Sequence, residues 1–322
     1  MNAQLLRRAF DRRSSLLADR TTNAVRIVNS LGDGLPEVTV DWFDGVAVLS
    51  VYRPLPLDEE YALAETLVSA IGARSVYLKR RPREARTAGR RSRDDLAPSR
   101  PLAGEHFPEL VAKENGLSFR ILPADGLAVG LYLDMRDTRT WLRGHVAGKT
   151  VLNCFAYTCA FGIYAHAGSA ERVVNVDLSR RVLGWGEDNL RLNGGQPQRR
   201  DYIAGDVFDW LRRFAKKGER FDVVVLDPPS FSTSEGRAFS AKRDYFKLVA
   251  AASPLVAARG MLVACCNLED LRAESFEAQV RRGLEQSGRR GRIVERLGPS
   301  RIDFPAHPDE PPALKVAVVS LD

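Results

Sequence analysis

With 322 residues, 44% apolar and 28% charged side chains, the chain is long enough for two domains and has the composition of a globular protein. No apolar run approaches the roughly 20 residues of a membrane span, and the Arg-punctuated N-terminus lacks the apolar core of a secretory signal. No membrane partner is therefore expected, and a cytosolic location is. The net charge of +7 suits nucleic acid, an acidic partner or simple solubility, so its distribution along the chain matters more than its sum.

Residues 4–20 place Leu5, Leu6, Phe10, Leu16 and Leu17 among Arg7, Arg8, Arg12, Arg13 and Arg20. This pattern predicts an amphipathic basic helix within 1–23, its basic face either solvated or turned to phosphates. A small α/β domain is expected over 24–122. Val25–Val28 and Val38–Phe43 read as strands, Asp44-Gly45 turns the chain, and Val46–Tyr52 returns as a hairpin partner. Residues 58–71 suit a helix, Ser75–Leu78 a further strand, and 107–122 a hairpin around Glu114-Asn115-Gly116. The segment 79–100 interrupts this domain with Lys79, Arg80, Arg81, Arg83, Arg86, Arg90, Arg91, Arg93 and Arg100 against three acids. It reads as a loop whose arginines are solvated or hold phosphates.

Residues 123–322 form a second domain, in which strands alternate with helices from about 130 onward. Strands are expected at 150–155, 172–177, 201–204, 221–226, 260–265, 291–297 and 314–321, and helices at 160–168, 180–193, 207–217, 240–257 and 270–287. Such alternation means a doubly wound, mostly parallel sheet. The last two strands have no helix between them and would form an antiparallel edge hairpin.

The run Phe221-Asp222-Val223-Val224-Val225-Leu226 has the unbroken apolar character of a strand covered on both faces. Asp227-Pro228-Pro229 stops it, leaving a carboxylate beyond the strand's carboxyl end, where open α/β sheets bind ligands. Two other strands end in acids. Asp177, followed by Leu178, could hold a ribose diol, and Asp206, followed by Val207, could accept from an adenine amino group. The first strand leads into Phe155-Ala156-Tyr157-Thr158-Cys159, which lacks the glycines of a dinucleotide fingerprint, and no phosphate-cradling Gly-Lys loop occurs. Cys154, Cys159, Cys265 and Cys266 show neither disulfide nor zinc spacing, so reduced thiols and no metal are expected.

These residues resemble the class I S-adenosylmethionine-dependent methyltransferases. More narrowly they resemble the branch that methylates bacterial large-subunit ribosomal RNA at cytosine C5, together with the related guanine N7 enzymes. The resemblance rests on Gly130-Leu131-Tyr132-Leu133-Asp134-Met135-Arg136, Leu152 to Thr158, Asp177-Leu178-Ser179, Asn189 to Gly194 and Asp227 to Phe231. Gly32-Asp33-Gly34-Leu35-Pro36 resembles the small domain that precedes the catalytic one in that branch. The implied fold is α/β: a Rossmann-like methyltransferase sheet, mostly parallel with an antiparallel edge hairpin, preceded by a small α+β domain. The implied cofactor is S-adenosylmethionine. Tyr132, Asp134, Arg136, Asn153, Phe155 and Tyr157 would frame its methionine end, Asp177 and Leu178 its ribose, and Asp206 and Val207 its adenine, with Asp227 also lining the site.

Asp227 would serve catalysis, and Pro228, Pro229 and Phe231 would present the target base. Arg90, Arg91 and Arg93 would hold RNA in place of the PUA domain that family members usually carry at the N-terminus. Cys159 stands where the family usually has Gly. After the fifth strand of the catalytic domain, either Cys266 or Asn267 occupies the position of a nucleophilic cysteine. Cytosine C5 needs a thiolate to add at C6 first, whereas guanine N7 is already nucleophilic and needs only orientation. His307, in Phe304-Pro305-Ala306-His307-Pro308, falls in a segment resembling a substrate-side loop. A non-catalytic RNA- or ribosome-binding protein, and a methyltransferase for a small molecule or protein, stand as alternatives. Monomer and homodimer both stay open.

Overall fold

Asp44 and Gly45 both take positive φ, +49° and +88°, the backbone that a two-residue hairpin needs to match strand twist. They join β2 (Val38–Phe43) to β3 (Val46–Val51) in antiparallel register, Phe43 opposite Val46. The computed structural model describes residues 2–81, 92–234 and 237–322, with 232–234 and 237–238 as backbone only. The chain divides into two units, Met1–Leu133 with Ser300–Pro311, and Asp134–Pro299 with Pro312–Asp322.

In the first unit, β1 (Ala24–Asn29), β2, β3, β4 (Ser75–Arg80) and β5 (Ala103–Gly104) form one sheet in that order. The β3–β4 pair is parallel, and α3 (Leu57–Ile71) makes the crossover. β6 (Leu110–Glu114) and β7 (Leu117–Ile121) form a separate hairpin. Leu6, Val25, Ile27, Leu49, Leu63, Leu67, Val76 and Leu78 make the core.

One basic helix was expected over 4–20, but the structure has two, α1 (Ala3–Arg12) and α2 (Ser14–Ala18). Arg13, at the break, is fully buried. It donates to Asp33 through both terminal nitrogens (2.6 and 2.7 Å) and to the carbonyls of Ala9, Arg26 and Asp303 (2.9–3.0 Å). Arg12 also reaches Asp33, at 2.9 Å. Arg13 therefore serves the fold and is not turned to phosphates, while the half-exposed Arg12 pairs with the same acid. Gly32-Asp33-Gly34 is thereby explained locally: a Cβ on Gly32 would overlap the Pro305 carbonyl. Asn29 donates to that carbonyl at 3.1 Å, and Glu310 accepts from Ser30 Oγ and Leu31 N.

The Arg-rich run is likewise engaged at its described ends. Lys79 and Arg80 belong to β4 and not to a loop. Lys79 is buried and donates to the Pro123 carbonyl at 2.6 Å; burial, then the Arg81 charge, lower its ammonium to about 8. Arg80 pairs with Glu60, and Arg81 donates to the Leu127 carbonyl at 2.6 Å. Arg93 opens α4 (Arg93–Leu96) and pairs with Asp125. Arg83, Arg86, Arg90 and Arg91 lie outside the described residues.

The second unit holds the α/β sheet that the alternation predicts. Its strands are β8 (Thr150–Cys154), β9 (Arg172–Asp177), β10 (Tyr202–Ala204), β11 (Phe221–Leu226), β14 (Val256–Asn267), β15 (Gly291–Leu297) and β16 (Leu314–Leu321). They lie in the order β10-β9-β8-β11-β14-β16-β15, the first five parallel. β16 runs antiparallel between β14 and β15. The order reverses between β8 and β11, the switch point at which such sheets open a crevice.

Side-chain alternation sorts the sheet into two faces. Val151, Val173, Val223, Val225, Val263 and Cys265 pack with Leu142 of α5 (Arg136–Arg143) and Phe161 of α6 (Ala160–Ala167). Leu152, Val174, Val224, Leu226, Leu262, Ala264 and Cys266 pack against α8 (Val207–Lys216), α9 (Ala241–Ala252) and α10 (Ala273–Gln286). α7 (Arg180–Leu192) links β9 to β10.

Four details differ from the sequence reading. The helix expected over 240–257 stops at Ala252, and a 3₁₀ turn, Ser253–Leu255, follows around Pro254, which cannot continue a helix. β14 is correspondingly longer than 260–265. The hairpin of β12 (Phe231–Ser234) and β13 (Arg237–Ser240), and helix α5, were not anticipated. Among the described residues no helix is long and apolar enough to cross a membrane.

Removing the Arg13 side chain takes the two-pronged partner from the buried Asp33 carboxylate and leaves it the half-exposed Arg12. Arg13→Met should cost the first unit about 3–5 kcal/mol in denaturant unfolding. The Arg13→Met/Asp33→Leu double variant should lose less than the sum of the single losses.

Candidate active site

The loop after β8 is built from alternating left-handed residues: Phe155 (φ +59°), Tyr157 (+50°) and Cys159 (+60°). Non-glycine residues adopt this conformation only where surroundings hold them, and here they do. The Asp177 carboxylate accepts the Tyr157 N–H with one oxygen and the Ser179 N–H with the other, both at 2.9 Å. Asn189, fully buried on α7, donates to the Thr158 carbonyl at 3.1 Å. Cys159 thus takes the backbone shape a glycine would take. Its buried thiol is accommodated at Gly186 of α7, where a Cβ would overlap Sγ. The substitution of Cys for Gly in the loop depends on a glycine across from it.

The remaining rim residues fall on the α5–α6 face of the sheet. Asp134 sits in the 3₁₀ turn Leu133–Met135 that leads into α5. It accepts from Asn267 Nδ2, at the end of β14, at 3.2 Å. Asp227, half-buried just past β11, lies close enough to Asp134 to feel its charge. Burial first, then Asp134, push the Asp227 carboxyl up to about 7, against the pull of the Arg139 guanidinium. Arg139, buried on α5 near the Tyr164 ring, was missed in the sequence reading. Its signal was its spacing, three residues beyond Arg136 on one helix.

The structure distributes the other expected residues as follows. Arg136 is buried on α5. Asn153 is buried too, and donates to Asn175 at 2.9 Å beneath α6. Phe155 is half-buried, and Leu178 is 62% exposed beside Asp177. Asp206 caps α8, accepting the Asp209 N–H at 3.1 Å, and the Val207 side chain enters the core. Pro228 is buried, Pro229 exposed and Phe231 61% exposed. Tyr132 and Arg93 belong to the first unit, as does His307, whose ring accepts from the Asp309 N–H.

Cys266 is the exception. It is 1% exposed and points to the opposite face, among Leu262, Ala264, Tyr245 and Phe276. Burial raises its thiol pKa despite the Leu268 N–H and Lys315. The structure does not bring it to the rim, and Asn267, one residue on, is the side chain that arrives there. Cys154, Cys159 and Cys265 are buried as well.

A carboxylate that keeps acceptor capacity after taking two backbone N–H bonds, next to an exposed leucine and a second strand-end acid, matches the donors of a nucleoside. Over residues 28–316 the sequence matches the family of S-adenosylmethionine-dependent methyltransferases. The chain belongs to that family. The enzyme is 33% identical over 296 residues to YwbD of Bacillus subtilis, covering 90% of this chain and 72% of that one. It is 32% identical over 295 residues to the ribosomal RNA large subunit methyltransferase I of Aeromonas salmonicida, covering 91% and 73%. In structure it resembles SMU.776 crystallised with SAH, with a TM-score of 0.87 and 25% identity over 99% of this chain and 82% of that one. The methyltransferase uses S-adenosylmethionine. Among the described residues no group of three His, Cys, Asp or Glu side chains could hold a metal.

Two outcomes are expected from these contacts. Gly186→Ala forces a methyl onto Cys159 Sγ and should destabilise by about 1–3 kcal/mol, with weaker cofactor binding by calorimetry. Cys159→Ala in the same chain should restore most of both. Because Asp227 binds its proton more tightly when folded, its ionisation removes stability as pH rises from about 4, its unfolded range, to about 7. Asp227→Asn should therefore raise the melting temperature at pH 8 and change it little at pH 4.

Proposed function

We propose that the enzyme methylates a base of large-subunit ribosomal RNA, and that the acceptor is a ring nitrogen, guanine N7, in preference to cytosine C5. The relatives named for ribosomal RNA support the substrate class. The burial of both Cys265 and Cys266 carries the choice of atom. Carbon methylation of cytosine needs a thiolate at the base, and no thiol among the described residues reaches the rim. A nitrogen lone pair needs only to be aligned and desolvated.

In this reading S-adenosylmethionine supplies an electrophilic methyl group on a cationic sulfur. Asp177 holds the ribose diol with the lone pairs left after its two backbone bonds. Asp206, already committed to capping α8, offers its second oxygen to the adenine edge. The half-buried Phe155 and exposed Leu178 supply apolar contact. Asp134, Arg136, Asn153 and Tyr157 are assigned to the methionine side, Arg136 and Asn153 acting from buried positions behind it.

Asp227, Pro228, Pro229 and Phe231 serve the base. Phe231 offers an exposed ring on which a base can stack, and Pro228-Pro229 hold the Asp227 backbone. A guanine methylated at N7 becomes cationic. The Asp227 carboxylate, accepting from its N1–H or amino group, stabilises that developing charge. Asn267 keeps Asp134 turned to the same rim. Exposed Arg7 and Arg8 of α1, with Arg90 and Arg91, meet phosphates, and Arg93, paired with Asp125 but largely exposed, joins them.

The test is nucleoside mass spectrometry of ribosomal RNA incubated with enzyme and labelled cofactor. Labelled 7-methylguanosine is expected, with Cys265→Ala and Cys266→Ala retaining activity. Labelled 5-methylcytidine, abolished by Cys266→Ala, would overturn the nitrogen assignment, and label in protein or small molecules alone would overturn RNA. Since the ionised carboxylate is the active form, kcat should climb through about pH 7 and level off above it. Asp227→Asn should lower kcat and flatten that rise.

A further inference from the structure

The carboxyl ends of β11 and β14 fork. Their last paired residues are Leu226 and Ala264. Beyond them Asp227 enters the Pro-Pro turn, while β14 continues to Asn267 alongside β16. Tyr245 of α9 reaches this fork from the α8–α10 face. Its ring is fully buried and stands edge-on to Phe276, centroids 5.0 Å apart. Its hydroxyl lies 2.8 Å from the Cys265 carbonyl and 3.2 Å from the Leu226 carbonyl. One proton is shared between two acceptors, each of them one or two residues from a rim side chain. Burial keeps the phenol protonated, so it remains a donor. A second tie lies nearby: Ser230 Oγ donates to the Asn267 carbonyl at 3.2 Å, and the Ala241 N–H returns to the Ser230 carbonyl at 3.0 Å.

A phenylalanine would fill this core site equally well. A hydroxyl that is buried only to bridge two strand-end carbonyls has desolvation to offset, which points to a demand on geometry. We infer that Tyr245 is a positioning residue for methyl transfer, its hydroxyl fixing the separation of Asp227 and Asn267 at the acceptor edge. The inference rests on the reading that Asp227 faces the acceptor base.

Tyr245→Phe removes the bridge and keeps the ring. A crystal structure of the variant should show Asp227 and Asn267 displaced or in more than one conformer, with the Asp177 bonds to Tyr157 and Ser179 intact. Cofactor affinity should stay within twofold. On RNA, kcat should fall roughly ten- to hundredfold at unchanged KM, and the pH midpoint of kcat should move. Tyr245→Phe should add little to Asp227→Asn, because both act through one group.

An unchanged Asp227–Asn267 separation, or kcat within twofold of wild type, would overturn the inference. So would a joint loss of kcat, KM and cofactor affinity with a collapsed melting temperature, which would mark Tyr245 as a fold residue only. If wild-type enzyme leaves RNA unmethylated, the substrate reading fails, and the crystallographic comparison still decides whether Tyr245 sets the separation.

Discussion

Pro228 and Pro229 have no amide hydrogen, so the β11 ladder cannot be extended through them. Leu226 is the last residue paired on both sides, with Cys154 of β8 and Ala264 of β14. Everything at the rim follows from that stop. Asp227 is released where β8 also ends and β14 runs on to Asn267, and its carboxyl stands at the switch point of the sheet. A carboxylate released further along would be hydrated. One released earlier would lie under α5 and α6 and have to be neutralised.

Parity along the strands then decides which side chains share that rim. In β11 and β14 the face covered by α5 and α6 receives every second residue, so Val225 leads to Asp227, and Val263 and Cys265 lead to Asn267. Cys266 is excluded by the same rule. A shift of one position in a strand moves a side chain to the other side of the protein, and two adjacent cysteines before an asparagine left that position undecided until the register with β16 was seen. Asp134 brings a second negative charge to Asp227, and Arg139 a positive one. Burial raises the carboxyl's pKa to about 7, with Asp134 adding to the rise from the turn before α5 and Arg139 opposing it from α5 itself.

Much of the second unit was legible in the sequence, because buried parallel strands and amphipathic helices have different periods and because three strands end in Asp. The helix carrying Arg136 and Arg139 was not legible, since Arg136 to Arg143 is polar almost throughout and offers the core only Trp141 and Leu142. Charge was the least informative signal. Arg12, Arg13, Lys79, Arg80, Arg81 and Arg93 read as a basic surface, yet each has a partner within the first unit. Sequence shows that a guanidinium is present but not where a buried acid or carbonyl awaits it. Asp206 showed the reverse ambiguity: it caps a helix and still has an oxygen to offer.

The first unit is not contiguous in the chain, because Ser300–Pro311 completes it. A ribosome adds roughly 5–20 residues per second, so Asp303 emerges on the order of ten to fifty seconds after Asp33. During that time the Arg13–Asp33 pair lacks one of its carbonyl acceptors, and the Gly32 cleft lacks Pro305. The domain begun first during synthesis is therefore finished only after nearly all of the catalytic domain has been made. A fragment ending at residue 133 would contain the whole five-stranded sheet but not the segment that closes its buried charges.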